Sequence, residues 1–229
     1  MDILEKLTPL AEPGYRAFIQ KTVPTHNEIL GVRAPHLKKL AREVLKSDFR
    51  EFLETAPDGI LEVYFLKAAA VGGGKMERAE RFERVREFLP KIDNWAVCDS
   101  LMGWLDPAPA ERATWFEFLS PFFSDEREFF ARFAAVMMIH YSDPEWIGPA
   151  LNGLARVRQD GYYARMGVAW ALSHLYVDFP KEVEALLKSE SLDAWTHNKT
   201  IQKVMESFRV DDDAKALLRA LKRRARPDR

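Results

Sequence analysis

Three residues of one short segment, Trp95, Asp99 and Gly103, recur at four-residue spacing, which places them on one stripe of a helix. Tryptophan, a carboxylate and glycine on successive turns are an unusual combination for a solvent-exposed face. In a core, burial of the carboxylate would cost free energy. Both a carboxylate and an aromatic face attract cations, so the stripe is suited to stabilising a positive charge. The other interpretation is that Asp99 forms a buried structural tie, since a buried carboxylate needs a partner to stay ionised.

Two later segments repeat each other and bring Arg132 and Trp170 into consideration. FFARFAAVMMI begins at Phe129 and YYARMGVAWAL at Tyr162, an offset of 33 residues, and NWAVCDSLM from Asn94 is a fainter copy. A period in the mid-thirties is typical of one helical hairpin, and stacked hairpins line one concave surface. Arg132 is then a candidate neighbour of Asp99 from the next repeat. For Trp170, core burial is the alternative to an aromatic binding face.

The segment that carries the stripe shows how these residues must be positioned. Residues 91–105 form an amphipathic pattern, with Asp93 or Asn94 placed to cap the start of a helix. Val97, Leu101 and Leu105 recur on a second stripe and are expected to face a core. The remaining tryptophans are assigned to packing or to helix ends: Trp104, Trp115, Trp146 and Trp195.

Helical periodicity covers almost the whole chain, and no segment has a convincing strand pattern. Prolines separate the periodic segments, and the short connections favour antiparallel hairpins. The predicted fold is all-α, an α-solenoid of stacked antiparallel helical hairpins (a HEAT-like or ARM-type superhelix) with a concave face. We expect one domain over residues 1–229, in which 210–229 form a basic C-terminal helix or tail.

Composition excludes several classes of protein. The chain has 229 residues, of which 47% are hydrophobic, enough for one substantial core. No apolar run approaches the ~20 residues of a membrane span, and the N-terminus lacks a signal peptide pattern. A single cysteine, Cys98, excludes an internal disulfide and favours a cytoplasmic protein with that thiol packed in the core. Five histidines without ligand spacing argue against a metal site, and no cofactor motif is present.

Net charge is −1, but the basic residues cluster near both ends. Residues 33–50 contain six basic and two acidic side chains, and the segment from Lys199 onward is also rich in lysine and arginine. Such clusters are able to hold a polyanion locally although the whole chain is close to neutral. Solvated helix faces are the alternative interpretation.

Four segments together resemble the DNA alkylation repair family of HEAT-like glycosylases. They are ILGVRAPHLKKLARE (29–43), NWAVCDSL (94–101), ARFAAVMM (131–138) and YYARMGVAWAL (162–172). The order and spacing match, and the resemblance extends from about residue 10 to 208. The family removes alkylated purines from DNA by breaking the N-glycosidic bond, and its solenoid holds the duplex in a basic concave groove. The implied partner is therefore duplex DNA with alkylated bases, bound by a monomer without cofactor, metal or membrane.

The resemblance also implies roles for individual residues. Trp95 and Asp99 match the family's Trp-x-x-x-Asp pair, Arg132 its central arginine, and Trp170 a later tryptophan. Asp99 would stabilise the sugar cation or align water, both indoles would pack on the sugar, and Arg132 would hold a flanking phosphate. Since a solenoid wall has no deep pocket, a flipped base is not required.

Contacts to the DNA backbone are expected from six further residues: Arg33, Lys38, Arg165, Asn198, Lys199 and Lys203. The sequence departs from the family where basic residues are usual, with Met166 and Ser173 beside Trp170. Fewer phosphate contacts weaken DNA binding. Two functions therefore stay open: a glycosylase for cationic alkylated purines, and a non-catalytic solenoid that binds DNA structures or a protein partner.

Overall fold

The computed structural model describes residues 2–223, and within this range the secondary structure is helical, with two isolated bridges and no strand. The helices are α1 Ile3–Leu7, α2 Pro13–Thr22, α3 Ala34–Lys46, α4 Phe49–Thr55, α5 Leu61–Gly73, α6 Arg78–Phe88, α7 Trp95–Trp104, α8 Arg112–Leu119, α9 Glu128–Met137, α10 Ile147–Arg156, α11 Tyr162–Asp178, α12 Pro180–Lys188, α13 Ala194–Glu206 and α14 Asp212–Ala220. The all-α prediction is confirmed.

The chain divides into two compact units, with the boundary between Asp106 and Pro107. In the first unit α5 packs against both α3 and α7, with α4 and α6 as further neighbours of α5. In the second unit α11 packs between α9 and α13, and α10 and α12 contact α11. Within each unit, every second helix thus contacts the next, an arrangement consistent with the α-solenoid expected from the repeats.

The helix that carries the stripe begins as the sequence predicts. Asn94 is its N-cap, and the side-chain oxygen accepts a hydrogen bond of 3.0 Å from the backbone N–H of Val97. Val97, Leu101 and Leu105 are buried, which confirms the second stripe as the core side of α7. Because an added Cβ at Gly72 would lie 2.5 Å from the Cβ of Trp104, only glycine allows α5 to approach α7 this closely.

The C-terminal region contains one helix, α14, within the described residues, which end at Arg223. The arginines predicted in the basic tail after that position, Arg224, Arg226 and Arg229, lie outside the described residues. None of the helices within 2–223 combines the length and the apolar character that crossing a membrane requires.

A buried carboxylate holds the loop between α2 and α3 against α5. Glu62 is 2% exposed, and its two oxygens accept hydrogen bonds from the backbone N–H groups of Leu30, Gly31 and Val32 at 2.7–3.2 Å. Gly31 has φ of 91°, a left-handed conformation that favours glycine. The carboxylate therefore compensates three N–H groups that no helix or strand satisfies.

We expect Glu62→Ala to lower the free energy of unfolding by about 3 kcal/mol, because three backbone donors lose their acceptor. Urea denaturation followed by circular dichroism measures the change. The matched control is Glu83→Ala on α6, whose exposed side chain has no partner within the described residues and whose loss should cost less than about 0.5 kcal/mol. Equal stability of the two variants would contradict the role given to Glu62.

Candidate functional site

The start of α7 is fixed to the segment that follows α2. The carboxylate of Asp93 accepts hydrogen bonds from the hydroxyl of Thr25, the backbone N–H of His26 and the side-chain amide of Asn27, at 2.7–3.2 Å. Asp93, the other cap candidate, thus anchors the helix while Asn94 caps it. Next in sequence, the indole Nε1 of Trp95 donates a hydrogen bond of 3.1 Å to the carbonyl oxygen of Thr22. These contacts set the orientation of the Trp95 ring.

The three residues of the predicted stripe occupy two kinds of environment. Trp95 and Gly103 line a groove of about 910 Å³ within the first unit, whereas Asp99 is not among its lining residues. Asp99 and Trp95 are both half-buried, so neither is sealed in the core. The first unit thus contains a groove, a feature that the expected wall without a deep pocket does not include. The groove is formed by side chains from α2, α3, α5 and α7, which are distant in sequence and gave no local signal.

In the second unit, Arg132 is 3% exposed on α9. Its guanidinium Nη1 donates a hydrogen bond of 2.8 Å to the carbonyl oxygen of Tyr163 at the start of α11. An added Cβ at Gly167 would lie 3.1 Å from the Cγ of Arg132, so the two helices approach closely at this point. The rings of Phe129 and Tyr163 stack with centroids 5.8 Å apart. The two copies of the sequence repeat thus pack directly against each other.

Trp170 is half-buried on α11 rather than enclosed in the core. The ring of His174, one turn later, meets the indole edge-to-face with centroids 5.2 Å apart and an angle of 90°. This contact restricts the rotation of the indole. The ring of Trp170 therefore keeps a defined orientation at a surface that solvent reaches.

A cluster of two cations and one indole lies where α11 meets α13. The guanidinium carbon of Arg165 is 4.6 Å from the centroid of the Trp195 ring, and Nζ of Lys199 is 5.5 Å from it. The exposed ring of Tyr162 meets the same indole at 5.6 Å. Trp195 lies at a helix end, one of the two settings expected for the remaining tryptophans, but its position between two cations is not predicted from the sequence. The four-residue spacing of Trp195 and Lys199 was the available signal, and Arg165 could not be placed from sequence.

The other predicted DNA contacts differ in how far they are already engaged. Arg33 forms two hydrogen bonds of 2.9 Å with the carboxylate of Glu12, and Lys203 pairs with Glu206 at 3.0 Å. Asn198 donates to the carbonyl of Arg223 and accepts from its N–H, both at 2.9 Å, and so holds the chain that follows α14. Lys38 is exposed and has no ion-pair partner within residues 2–223.

A sequence profile of the family described as DNA alkylation repair enzyme matches residues 3–205. The chain belongs to this family. The resemblance predicted from the four segments is confirmed, and membership gives the protein a role in DNA repair. A search among curated proteins finds no match.

Within this member of the DNA alkylation repair family, a buried histidine connects α13 to the C-terminal segment. His197 is 2% exposed, and its Nε2 lies 2.8 Å from the carbonyl oxygen of Leu221. A carbonyl only accepts, so Nε2 carries the proton in the neutral ring, and Nδ1 has no hydrogen-bond partner in the described structure. Burial lowers the pKa of His197 below its usual value of 6.5; the Leu221 carbonyl and Glu190 oppose this shift, and Arg223 adds to it.

Because the unfolded chain binds this proton more readily than the folded protein, the neutral ring favours folding above pH 6.5. We expect the free energy of unfolding to fall as the pH decreases below that value. His197→Gln keeps a donor for Leu221 and should reduce this pH dependence, measured by urea denaturation between about pH 7 and pH 5. His36→Gln, at an exposed position, is the control and should retain the wild-type slope. The same slope in His197→Gln would contradict the assignment.

Proposed function

We propose that the protein is a DNA glycosylase that hydrolyses the N-glycosidic bond of cationic 3- or 7-alkylpurines in duplex DNA. The observation that carries the proposal is the pair on α7: a half-buried carboxylate, Asp99, one turn after an indole whose ring is fixed by the Thr22 carbonyl. Family membership gives the DNA repair role, and this pair provides groups that could stabilise the positive charge formed during base release.

The proposed reaction needs few groups because the substrate is already activated. An alkylated purine carries a positive charge and departs as a neutral base, so no general acid is needed. As the bond breaks, positive charge develops on the deoxyribose, as in glycoside hydrolysis. An ionised Asp99 would stabilise that charge or orient the attacking water, and the face of Trp95 would add a cation–π contribution. The family resemblance assigns Trp170 a similar contact with the sugar.

Arg132 is better suited to positioning than to a direct phosphate contact. Its side chain is almost completely buried, and one of its nitrogens is hydrogen-bonded to the backbone of Tyr163. We therefore assign it to fixing α9 against α11. The cations that we assign to phosphates are Lys38 in the first unit and, beside Trp195 in the second, Lys199 and Arg165. Arg165 also lies 3.9 Å from the carboxylate of Asp193, so a phosphate would compete with that ion pair.

We expect the purified protein to release 7-methylguanine or 3-methyladenine from methylated duplex, and Asp99→Asn to lower the rate at least about 100-fold, because the amide carries no negative charge. Chromatography of the released bases measures the rate. The control is Asp160→Asn, an exposed carboxylate without a partner in the described structure, which should retain wild-type activity.

Release by Asp99→Asn at the wild-type rate would refute the catalytic role of this carboxylate. A wild-type protein that binds DNA but releases no base would instead favour a non-catalytic, DNA-binding member of the family. Absence of DNA binding at low salt would favour a solenoid that binds a protein partner.

The contribution of Lys38 to DNA binding is measurable separately from catalysis. A lysine that neutralises one phosphate releases about one counterion, so Lys38→Ala should reduce the slope of log affinity against log salt by about one. Fluorescence anisotropy with undamaged duplex over a salt series gives the slope. The matched control is Lys181→Ala on α12, an exposed lysine with no ion-pair partner in the described range. Equal slopes for the two variants would remove Lys38 from the binding surface.

A further inference from the structure

The chain that follows α14 returns to α13 and is held there by two side chains. The amide of Asn198 donates a hydrogen bond to the carbonyl oxygen of Arg223 and accepts one from its N–H, both at 2.9 Å. One residue earlier on α13, Nε2 of His197 donates to the carbonyl oxygen of Leu221 at 2.8 Å. These three bonds fix the path of the backbone up to the last residue that the structure describes.

The side chain of Arg223 strengthens this attachment. Its Nη1 donates a hydrogen bond of 2.8 Å to the carbonyl oxygen of Leu192, and its Nη2 one of 3.2 Å to that of Leu187. Leu187 lies in the last turn of α12, where carbonyl groups lack partners within the helix, and Leu192 lies just before the N-cap of α13. The guanidinium of Arg223 is therefore engaged inside the protein.

The cluster of Arg165, Trp195 and Lys199 lies at the same end of α13. Asn198 directly precedes Lys199, and the Cα atoms of consecutive residues are about 3.8 Å apart. The backbone of Arg223 is thus bonded to the immediate neighbour of a lysine that we assign to a phosphate.

The sequence that continues from this attachment is strongly basic. Residues 222–229, which we call the C-terminal basic segment, contain one acid, Asp228, and five basic residues: Lys222, Arg223, Arg224, Arg226 and Arg229. Like charges so close together repel one another, and basic tails of this kind are typical contacts of nucleic acids. The segment follows the range 3–205 that the family profile matches, so the match assigns it no role.

The acid closest to the cluster is already engaged. The carboxylate of Asp193 accepts hydrogen bonds from the backbone N–H groups of Trp195 and Thr196 at 2.9 and 3.0 Å, and it lies 3.9 Å from Arg165. Glu190, exposed before α13, adds one further negative charge. The C-terminal basic segment therefore brings an excess of positive charge to this end of α13, which a polyanion is suited to neutralise.

We propose that the C-terminal basic segment binds the phosphate backbone of duplex DNA beside Arg165 and Lys199, and that Asn198 positions it. The inference rests on the proposed function in taking DNA as the partner, but it does not require that a base be cleaved. Asn198, expected from the sequence to contact DNA, acts through Arg223 instead, because the backbone of that residue occupies its amide. A fixed starting point reduces the entropy that the segment loses on binding.

The first test removes charge from the segment without changing any described residue. In the triple variant Arg224→Ser/Arg226→Ser/Arg229→Ser, the slope of log affinity against log salt should fall by about two to three, because each phosphate contact contributes about one. Fluorescence anisotropy with an undamaged duplex over a salt series gives the slope.

The matched control is a second triple variant, Lys75→Ser/Lys181→Ser/Lys215→Ser. It removes the same number of positive charges from residues outside the segment that have no ion-pair partner within 2–223. Its slope should differ from that of the wild type by less than about one, since a general loss of charge does not remove defined phosphate contacts.

A second test separates positioning by Asn198 from a direct contact of this residue with DNA. Asn198→Ala should weaken binding about fivefold in the otherwise unchanged protein, because the segment loses its fixed starting point. In the background of the arginine-to-serine triple variant, the same change should have no further effect, since the charges that Asn198 positions are gone. Circular dichroism checks that Asn198→Ala folds.

An unchanged slope in the arginine-to-serine variant, or an equal fall in the lysine control, would overturn the inference. An equal cost of Asn198→Ala in both backgrounds would overturn the positioning role. A slope that depends on the segment, in a protein that releases no methylated base, would refute the glycosylase proposal and leave this inference in place. Base release with an unchanged slope would do the reverse.

Discussion

The carboxylate of Asp93 is the contact on which the geometry of the first unit depends. It collects a hydroxyl, a backbone N–H and two side-chain amides, from Thr25, His26, Asn27 and Asn94. The donors from Thr25, His26 and Asn27 join the start of α7 to the segment after α2, which lies 66 to 68 residues away in sequence. With the helix start fixed here, the next residue, Trp95, is within reach of a carbonyl of α2. One charged group thereby determines where the candidate catalytic helix begins and which way its first ring points.

The same anchor explains how α2 is held although it buries none of its own side chains. Its C-terminal end is bonded through the Thr22 carbonyl, and its N-terminal side through Glu12, whose N–H donates to the Gly31 carbonyl at 3.0 Å. Glu62 in turn fixes the loop that contains Gly31. α2 is therefore attached through polar contacts at both ends, and its apolar face remains open to the groove. Because polar contacts hold this helix, its aromatic rings need not be buried in the core and remain exposed to the groove.

Sequence patterns predicted the parts of this structure that follow from local periodicity. The helical class, the Asn94 cap and the buried stripe of Val97, Leu101 and Leu105 all depend on residues within a few turns of one another. The groove and the setting of Trp195 depend on side chains brought together from separate helices, and periodicity carries no information about such meetings. The burial of Arg132 could not be predicted from the sequence either, because an arginine in an apolar repeat is compatible with a surface contact or with an interhelical hydrogen bond. The family resemblance named candidate residues but not their surroundings.

The proposed substrate, a cationic base within a polyanion, sets opposing electrostatic requirements for a near-neutral protein. Cations attract the phosphates, yet a strongly basic surface would repel the alkylated purine and the sugar cation. Aromatic rings reduce this conflict, because they stack on bases and also hold cations over their faces. Both units of this chain place cations of their own beside aromatic rings: Arg33 lies 4.9 Å from the ring centroid of Tyr15, and Arg165 and Lys199 lie beside Trp195. The basic residues expected beside Trp170 are replaced by Met166 and Ser173, and the cations of that unit lie instead around another indole. Local pairs of cation and ring, rather than total charge, are then what the proposed recognition of damaged DNA requires.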